Sequence, residues 1–319
     1  MSMTRIIAGT LCGGVLVLGA SGASGQAYPN KPIRLLTNTP GGGNDLTSRL
    51  IAEKISPPLG QPVIVENRAA LIATETGKNA QPDGYTLLAA GNSLWNLQHL
   101  RDNPSYRPED FAPITMVSTS PLVLVVYPGL PVKSVKDLIS LAKAKPGELN
   151  YSTGSRGSPV HLAPVLFNKM AGVKIVEVLF KSATGSLPAV ISGEVQMTFS
   201  VATTIGPLTK AGKVRALAVT SLQPTALAPG LPTVAGSGLP GYEITQLVGI
   251  YVPAKTPAAI VRRLNQEIVR VLNQPDVKQK VFDLGADVVA NSPEQHAAMM
   301  KSENARWGKV IRDEGIRED

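Results

Sequence analysis

Residues 33–45 read Ile-Arg-Leu-Leu-Thr-Asn-Thr-Pro-Gly-Gly-Gly-Asn-Asp, which joins an apolar strand to three consecutive glycines. Asp45 then opens a helical pattern that continues to Ile55, and its apolar residues, Leu46 among them, are expected on one buried face. Glycine lets the backbone approach a ligand closely, and the free N–H groups and dipole of a helix N-terminus favour an anion. The stretch therefore predicts a cradle for a small anion such as a carboxylate, with a plain turn as the alternative.

The first 27 residues have the composition of a secretory signal peptide. Arg5 supplies a positive charge, residues 6–18 are apolar, and small residues precede an expected cleavage site near Ala27. The apolar run is too short to span a bilayer. Cleavage would also remove Cys12, the one cysteine of the sequence, so the mature protein is expected to lack thiol and disulfide chemistry. We expect an exported protein located in the periplasm.

Composition argues against two kinds of site. The chain of 319 residues carries a net charge of +8, but its basic residues are scattered and aromatic residues make up only 4%. A nucleic-acid surface would need clustered basic residues, so no nucleic acid is expected as a partner. The histidines, His99, His161 and His296, lie far apart and lack the spacing of metal ligands. No metal and no cofactor is therefore expected.

Two motifs of enzymes occur in the sequence without their required context. Residues 236–241 match G-x-G-x-x-G, yet they neither follow a clear strand nor open a helix. Residues 140–143 match S-x-x-K, but no K-T-G element of a penicillin-recognising enzyme accompanies them. The sequence pattern offers no nucleophile–base pair or metal cluster. The protein is therefore not expected to be an enzyme.

Short strand-like runs alternate with helical patterns along the chain. Residues 33–37, 63–67 and 85–89 are predicted strands, and the amphipathic pattern after the first of them predicts a helix over 45–55. Strands separated by helices imply βαβ units and parallel pairing. The sequence therefore predicts an α/β fold.

Two long apolar strands, 122–127 and 244–252, flank the middle of the chain. They suggest a discontinuous first domain of residues 28–125 and 250–319. Residues 126–249 would then form a second domain. Because strands that cross between domains act as a hinge, a ligand is expected in the cleft between them.

A second polar glycine loop, Gly-Ser-Arg-Gly-Ser at residues 154–158, follows another predicted strand. Ser158 and Pro159 are predicted as the N-cap and first residue of the next helix. Ligands of α/β sheets bind at the C-terminal ends of the strands, where both glycine loops are expected. His161 lies in the first turn of that helix and either faces the ligand or orients the helix.

Several short motifs are spread along the chain from residue 28 onward. They are Tyr28-Pro29-x-Lys31-Pro32-Ile33-Arg34, Pro40-Gly41-Gly42-x-x-Asp45-x-x-x-Arg49, Leu59-Gly60-Gln61-Pro62-Val63-x-Val65-Glu66-Asn67-Arg68, Pro82-Asp83-Gly84-Tyr85-Thr86-Leu87-Leu88, Gly154-x-x-Gly157-Ser158-x-x-His161-Leu162 and Pro253-Ala254-x-Thr256-Pro257. On these motifs the chain resembles the Bug-type periplasmic substrate-binding proteins of tripartite tricarboxylate transporters. The resemblance implies a two-domain type II periplasmic-binding-protein fold with a hinged interdomain cleft that closes on a small carboxylate.

The resemblance also implies which residues bind the ligand, because such proteins hold the carboxylate largely with backbone amides and waters of two glycine loops. The first loop corresponds here to Gly41, Gly42, Gly43, Asn44 and Asp45. The second corresponds to Ser152, Thr153, Gly154, Ser155, Gly157 and Ser158, with His161 nearby. Lys181 and Ala202 are expected to contact the rest of the ligand.

The chain departs from the family pattern at residues 69–72, which are Ala-Ala-Leu-Ile where the family commonly has a proline and a Gly-Ala-Gly-Gly run. This side of the cleft is therefore expected to be less polar. The expected function is capture of a small carboxylate by a monomeric protein and its delivery to a membrane permease. A ligand-sensing module for a membrane sensor is an open alternative, and a secreted enzyme on the same fold is a less favoured one.

Overall fold

The computed structural model describes residues 28–38, 40–41, 43–154, 156–180 and 184–318. The expected signal peptide, residues 1–27, lies outside the described residues. Three residues of the expected site, Gly42, Ser155 and Lys181, lie outside them as well.

Strands and helices alternate along most of the described chain. The strands are β1 (Ile33–Thr37), β2 (Val63–Asn67), β3 (Thr86–Gly91), β4 (Phe111–Val126), β5 (Asn150–Thr153), β6 (Val176–Leu179), β7 (Met197–Val201), β8 (Arg215–Val219), β9 (Thr245–Pro253) and β10 (Asp287–Val288). The helices are α1 (Gly43–Leu59), α2 (Ala70–Lys78), α3 (Ser93–Leu100), α4 (Val135–Ala144), α5 (Pro159–Ala171), α6 (Leu187–Ser192), α7 (Ala202–Lys210), α8 (Ala258–Leu272), α9 (Pro275–Asp283) and α10 (Pro293–Asp313).

The opening strand and helix form largely as predicted. β1 has the predicted bounds, whereas α1 extends beyond the predicted 45–55 at both ends. Leu50, Ile51 and Ile55 are buried against the sheet as expected. The prediction for Leu46 is wrong, because its side chain is 39% exposed. The first turn of α1 borders a cleft, which Leu46 lines, so its apolar face has no sheet to cover it there.

The sheet is mixed, with parallel pairs where helices connect the strands. β1 pairs in parallel with β2 and β3, and β5 pairs in parallel with β6 and β7. β9 and β4 run antiparallel to their neighbours, and β9 lies between β3 and β4. The predicted α/β class and the parallel units are confirmed.

Strand β4 passes through two parts of the sheet. Its residues 111–121 pair with β9, and its residues 122–126 pair with β7 and β8. We call β1–β3, β9, β10 and residues 111–121 the first half-sheet, and β5–β8 with residues 122–126 the second half-sheet. The domain boundaries expected after residues 125 and 249 stay a prediction.

Helix α10 packs against the apolar clusters of both half-sheets. Ser292 caps the helix in a capping box with Gln295. Met300 joins the cluster that contains Trp95, whereas Trp307 and Ile311 join the cluster that contains Phe167. The last helix therefore ties the two cores together.

His296 lies fully buried within α10. Its Nε2 is 3.1 Å from the hydroxyl of Tyr251, and among the described residues its Nδ1 has no hydrogen-bond partner. Gly249 leaves room for the ring, because a Cβ there would lie 2.6 Å from Cε1 of His296. Burial lowers the pKa of His296 from 6.5 to about 3, so the imidazole is neutral in the folded protein near neutral pH.

Candidate ligand-binding cleft

Two cavities that share lining residues make up a cleft near the C-terminal ends of β1, β3, β5 and β7. We call them cavity A, of about 350 Å³, and cavity B, of about 480 Å³. Asn44, Val160 and Gln246 line both cavities. Small-molecule sites have volumes of roughly 300–1,000 Å³. The cleft is therefore large enough for a small organic ligand.

The first glycine loop forms one wall of the cleft. Gly41 and Gly43 line cavity B, and Asn44 lines both cavities. Gly41 has a φ of +75°, a conformation that favours glycine. A Cβ added to Gly43 would meet nothing within 4 Å, so the backbone there faces open space. Because the first N–H groups of a helix have no acceptor within it, the start of α1 can donate hydrogen bonds to an anion.

Asp45 stabilises this loop from behind instead of lining the cleft. Its buried carboxylate accepts hydrogen bonds from the backbone N–H of Gly41 at 2.9 Å, Nδ2 of Asn67 at 2.8 Å and Nε of Arg49 at 3.2 Å. Burial by itself would raise the pKa of Asp45, but these bonds outweigh it and hold the pKa below its usual value. Of the expected ligand residues, Asp45 is thus placed to shape the loop.

The expected site residues at the end of β5 carry buried hydroxyl groups but line neither cavity. Ser152 and Thr153 are fully buried, and Gly154 follows them in the loop. Oγ of Ser152 donates a hydrogen bond to Oγ of Ser186 at 2.8 Å. Oγ1 of Thr153 has no hydrogen-bond partner within the described part of the chain, and the same holds for Thr37 at the end of β1. One strand of each half-sheet, β1 and β5, thus ends in a buried threonine shortly before a glycine loop.

Helix α5 begins as the sequence predicts. Oγ of Ser158 accepts the N–H of His161 at 3.3 Å, and Pro159 is the first helical residue. Ser158, Pro159 and Val160 line cavity A, together with Arg156 from the loop before them. The start of α5 therefore forms a second wall of the cleft, contributed by the other half-sheet.

His161 is placed to orient the second glycine loop. Its ring is 1% exposed, and its Nδ1 accepts the N–H of Gly157 at 3.3 Å, so the ring proton is assigned to Nε2. Nε2 lies 3.3 Å from Oε1 of Glu177. This contact with His161 holds the pKa of Glu177 below its usual value against the effect of burial. Of the two expected roles, the geometry favours orientation of the loop.

We expect Gly157→Ala to destabilise the protein by about 2–4 kcal/mol, through strained backbone and overpacking. Gly157 has a φ of +71°, and a Cβ there would lie 2.3 Å from Cδ1 of Leu100. Gly172→Ala is the matched control, because Gly172 has a φ of +61° but no atom within 4 Å of an added Cβ. Urea unfolding measures both losses. Equal losses in the two variants would show that the contact with Leu100 does not matter.

The start of α7 forms a third wall. Ser200, Val201, Thr203 and Thr204 line cavity B at the end of β7 and in the first turn of α7. Ala202, the residue expected here, is buried between these lining residues. The neighbouring residues, and not Ala202 itself, therefore present their atoms to the cleft.

Helix α2 gives cavity A an apolar side. Ala70, Leu71 and Ala73 line the cavity, and Thr74 is the polar residue of this helix that lines it with them. The segment 69–72 thus opens a helix, where the sequence departs from the family's glycine run. An apolar wall at this place agrees with the expected loss of polarity.

Some lining residues were missed from the sequence, and Asn92 is an example. It lines cavity A, its Oδ1 accepts the N–H of Leu247 at 2.8 Å, and its Nδ2 donates to the carbonyl oxygen of Thr245 at 3.2 Å. A Cβ on Gly91 would lie 2.8 Å from the carbonyl oxygen of Leu247. The available signal was the order strand, glycine, asparagine, helix, which repeats the order of the first glycine loop.

The cleft can bind an anion with backbone N–H groups, side-chain amides, hydroxyls and the guanidinium groups of Arg101 and Arg156. No group of three or more His, Cys, Asp or Glu side chains among the described residues is arranged to hold a metal ion. In the same part of the chain, no helix combines the length and the apolar character that crossing a membrane requires.

Comparison with known proteins agrees with this geometry. Residues 47–316 match the family described as the tripartite tricarboxylate transporter family receptor. Protein BugT of Bordetella pertussis is 32% identical over 327 residues, which covers 99% of this chain and 99% of BugT. The structure of the periplasmic binding protein BugD is 28% identical with a TM-score of 0.78, covering 92% of this chain and 100% of BugD.

Two further similar structures contain carboxylates. R. palustris Rpa4515 with adipate is 33% identical with a TM-score of 0.81, covering 91% of this chain and 99% of that protein. MatC from Rhodopseudomonas palustris with bound malate is 27% identical with a TM-score of 0.77, covering 89% of this chain and 100% of that protein.

Fold and cleft together define a periplasmic-binding-protein fold of the two-domain type. The chain belongs to the tripartite tricarboxylate transporter receptor family, whose relatives include the Bug proteins.

Proposed function

We propose that this protein captures a small carboxylate in the periplasm and delivers it to the membrane permease of a tripartite tricarboxylate transporter. The observation that carries the proposal is the shared lining of the cleft by the starts of two helices. Asn44 belongs to α1, which follows β1 of the first half-sheet, and Val160 belongs to α5, which follows β5 of the second. Each of the two residues lines both cavities. Similar proteins with adipate and with malate support a carboxylate as the ligand.

The carboxylate binds to backbone N–H groups at the starts of α1 and α5, where the helix dipoles also favour negative charge. Gly43 and Asn44 donate from one side, and the backbone N–H groups of Ser158 and Val160, which line cavity A, donate from the other. The proposed domains, residues 28–125 with 250–319 and residues 126–249, close on the ligand. Closure is stabilised only by contacts that the ligand makes better in the closed state than in the open state.

The rest of the ligand lies against the apolar side of cavity A. Leu71, Leu88 and Leu97 line this cavity with the alanines of α2. An apolar carbon chain gains about 25 cal/mol for each Å² that it removes from water there. The preferred ligand is therefore a carboxylate with an apolar carbon chain, and binding involves no catalytic step.

Isothermal titration tests this proposal on protein stripped of any retained ligand by unfolding and refolding. The panel contains butyrate, hexanoate, succinate, malate, adipate and citrate, with hexylamine as a control of equal chain length and opposite charge. We expect at least one acid to bind with a Kd of about 1 µM or tighter, which corresponds to roughly −8 kcal/mol, and hexylamine not to bind. Binding by none of the acids overturns the proposal, and turnover of a bound acid would favour an enzyme instead.

A further inference from the structure

We propose that Arg101 forms a second anion subsite in cavity A, which the carboxylate of Glu318 occupies until a ligand with a second carboxylate displaces it. This proposal rests on the proposed function, since it assumes that one carboxylate is already bound at the glycine loops. It narrows the ligand class from carboxylates in general to dicarboxylates with a short apolar spacer.

Arg101 has the position and the free donor that such a subsite needs. It directly follows α3 and lines cavity A but not cavity B. Its Nε is buried and makes no well-formed hydrogen bond to any described residue, although Oε2 of Glu318 lies 3.5 Å away. A guanidinium group presents a planar fork of donors that matches both oxygens of a carboxylate. Arg101 is therefore only partly satisfied by Glu318.

Glu318 is brought into the cavity by backbone contacts of its own segment. Its N–H donates to the carbonyl oxygen of Leu100 at 3.0 Å, and its side chain lines cavity A. Before it, Ile316 is buried in the same apolar cluster as Leu100. Arg317 bonds to Asp102 at 3.0 Å outside the cavity. The burial of Ile316 and the backbone bond of Glu318 to Leu100 thus hold a carboxylate of the chain beside Arg101.

The ion pair is weak enough to be exchanged. The side chains of Arg101 and Glu318 are 32% and 33% exposed, and ion pairs open to solvent are screened and contribute little. Glu318 can turn to solvent without leaving a buried charge unpaired, and a ligand carboxylate with two hydrogen bonds would keep Arg101 paired. Exchange of one carboxylate for another is therefore favourable when the ligand is already held at its other end.

Charge and polarity in cavity A fit the same ligand class. Arg156 lines the cavity as a second cation, and Nη2 of Arg156 lies 3.9 Å from Oε2 of Glu177. The lining of the same cavity also includes the apolar Leu71 and Leu97. A dicarboxylate with an apolar middle meets donors at its ends and apolar side chains between them.

The test compares pairs of acids with equal chain length, adipate against hexanoate and succinate against butyrate, by isothermal titration. Wild-type protein should bind the dicarboxylate of at least one pair about tenfold or more tightly than the monocarboxylate, as loss of a charge-assisted pair implies. Arg101→Gln should abolish that preference by weakening the dicarboxylate about tenfold more than the monocarboxylate. Glu318→Gln should raise the dicarboxylate affinity about two- to fivefold, because the internal competitor is gone.

Asp102→Asn is the matched control, since it breaks the neighbouring pair with Arg317 outside the cavity and should change neither affinity. Urea midpoints of all variants verify folding. If Arg101→Gln keeps the preference, or weakens both acids of a pair equally, the subsite is overturned. If Glu318→Gln binds the dicarboxylate no better than wild type, displacement of Glu318 is overturned. Wild-type protein that binds both acids equally refutes only the subsite, whereas wild-type protein that binds no acid also refutes the proposed function.

Discussion

Replacing Gly43 with valine is expected to weaken carboxylate binding about a hundredfold, or roughly 2.7 kcal/mol, and to leave folding stability nearly unchanged. Gly43 is the first residue of α1 and lines cavity B. Its Cβ position is open and its φ is not positive, so the valine fits without strain in the protein itself. The added side chain would occupy the space through which a ligand approaches the backbone N–H groups. The loss should therefore appear in binding and not in unfolding.

Gly206→Val is the control for this change, because Gly206 lies within α7, has no atom within 4 Å of an added Cβ and lines neither cavity. Isothermal titration with the tightest acid of the panel and urea unfolding are measured on both variants. Wild-type affinity in Gly43→Val would refute the anion cradle. A comparable loss of affinity in Gly206→Val would mean that a valine at a helical glycine weakens binding without blocking the cleft.

Acidification from pH 6.5 towards pH 3 is expected to reduce the free energy of unfolding by on the order of 4 kcal/mol through His296 alone. Burial lowers the pKa of His296 in the folded protein to about 3, whereas the unfolded chain takes up the proton near 6.5. Between these values the unfolded state binds more protons, so lowering the pH favours unfolding. Above pH 6.5 the residue is neutral in both states, and this contribution to stability is fully present.

His296→Phe should remove this part of the pH dependence, while the loss of the contact with the Tyr251 hydroxyl lowers stability by a similar amount at every pH. Urea unfolding between pH 4 and 7.5 measures the slope. His99→Gln is the comparison variant, because His99 is only partly buried and bonds to Asn304 at 2.7 Å. A slope in His296→Phe as steep as in wild-type protein would contradict the assignment to this residue.

The sequence predicted those strand bounds and helix caps that depend on neighbouring residues. β1 and β2 have their predicted bounds, and Ser158 caps α5 as predicted. The length of β4 was not predicted, because prolines at 113 and 121 argue against a strand. The pairing of β4 with β9 shifts register near Pro113, and β4 continues beyond this shift. The sequence of β4 alone does not show that β9 pairs with it on both sides of the shift.

The glycine loops of the site were predictable because close approach and a helix N-terminus depend on adjacent residues. The burial of Leu46 was predicted wrongly, since helical periodicity does not show where a helix passes the edge of its sheet. Arg101, Gln246 and Glu318 were missed for a different reason. They come from distant parts of the chain and meet only in the folded cleft, so no spacing in the sequence links them.

The position of β9 between β3 and β4 has a consequence for the order in which the strands pair when the chain emerges with its N-terminus first. The strands of the second half-sheet, from residue 122 to β8, are contiguous in the chain and can pair as soon as they emerge. The first half-sheet contains the earliest strands, yet β3 cannot be joined to β4 until residues 245–253 arrive between them. Because distant pairing is slow, the glycine loop after β1 belongs to the half that matures last. The wall of the cleft that emerges first is therefore the last to acquire its final support.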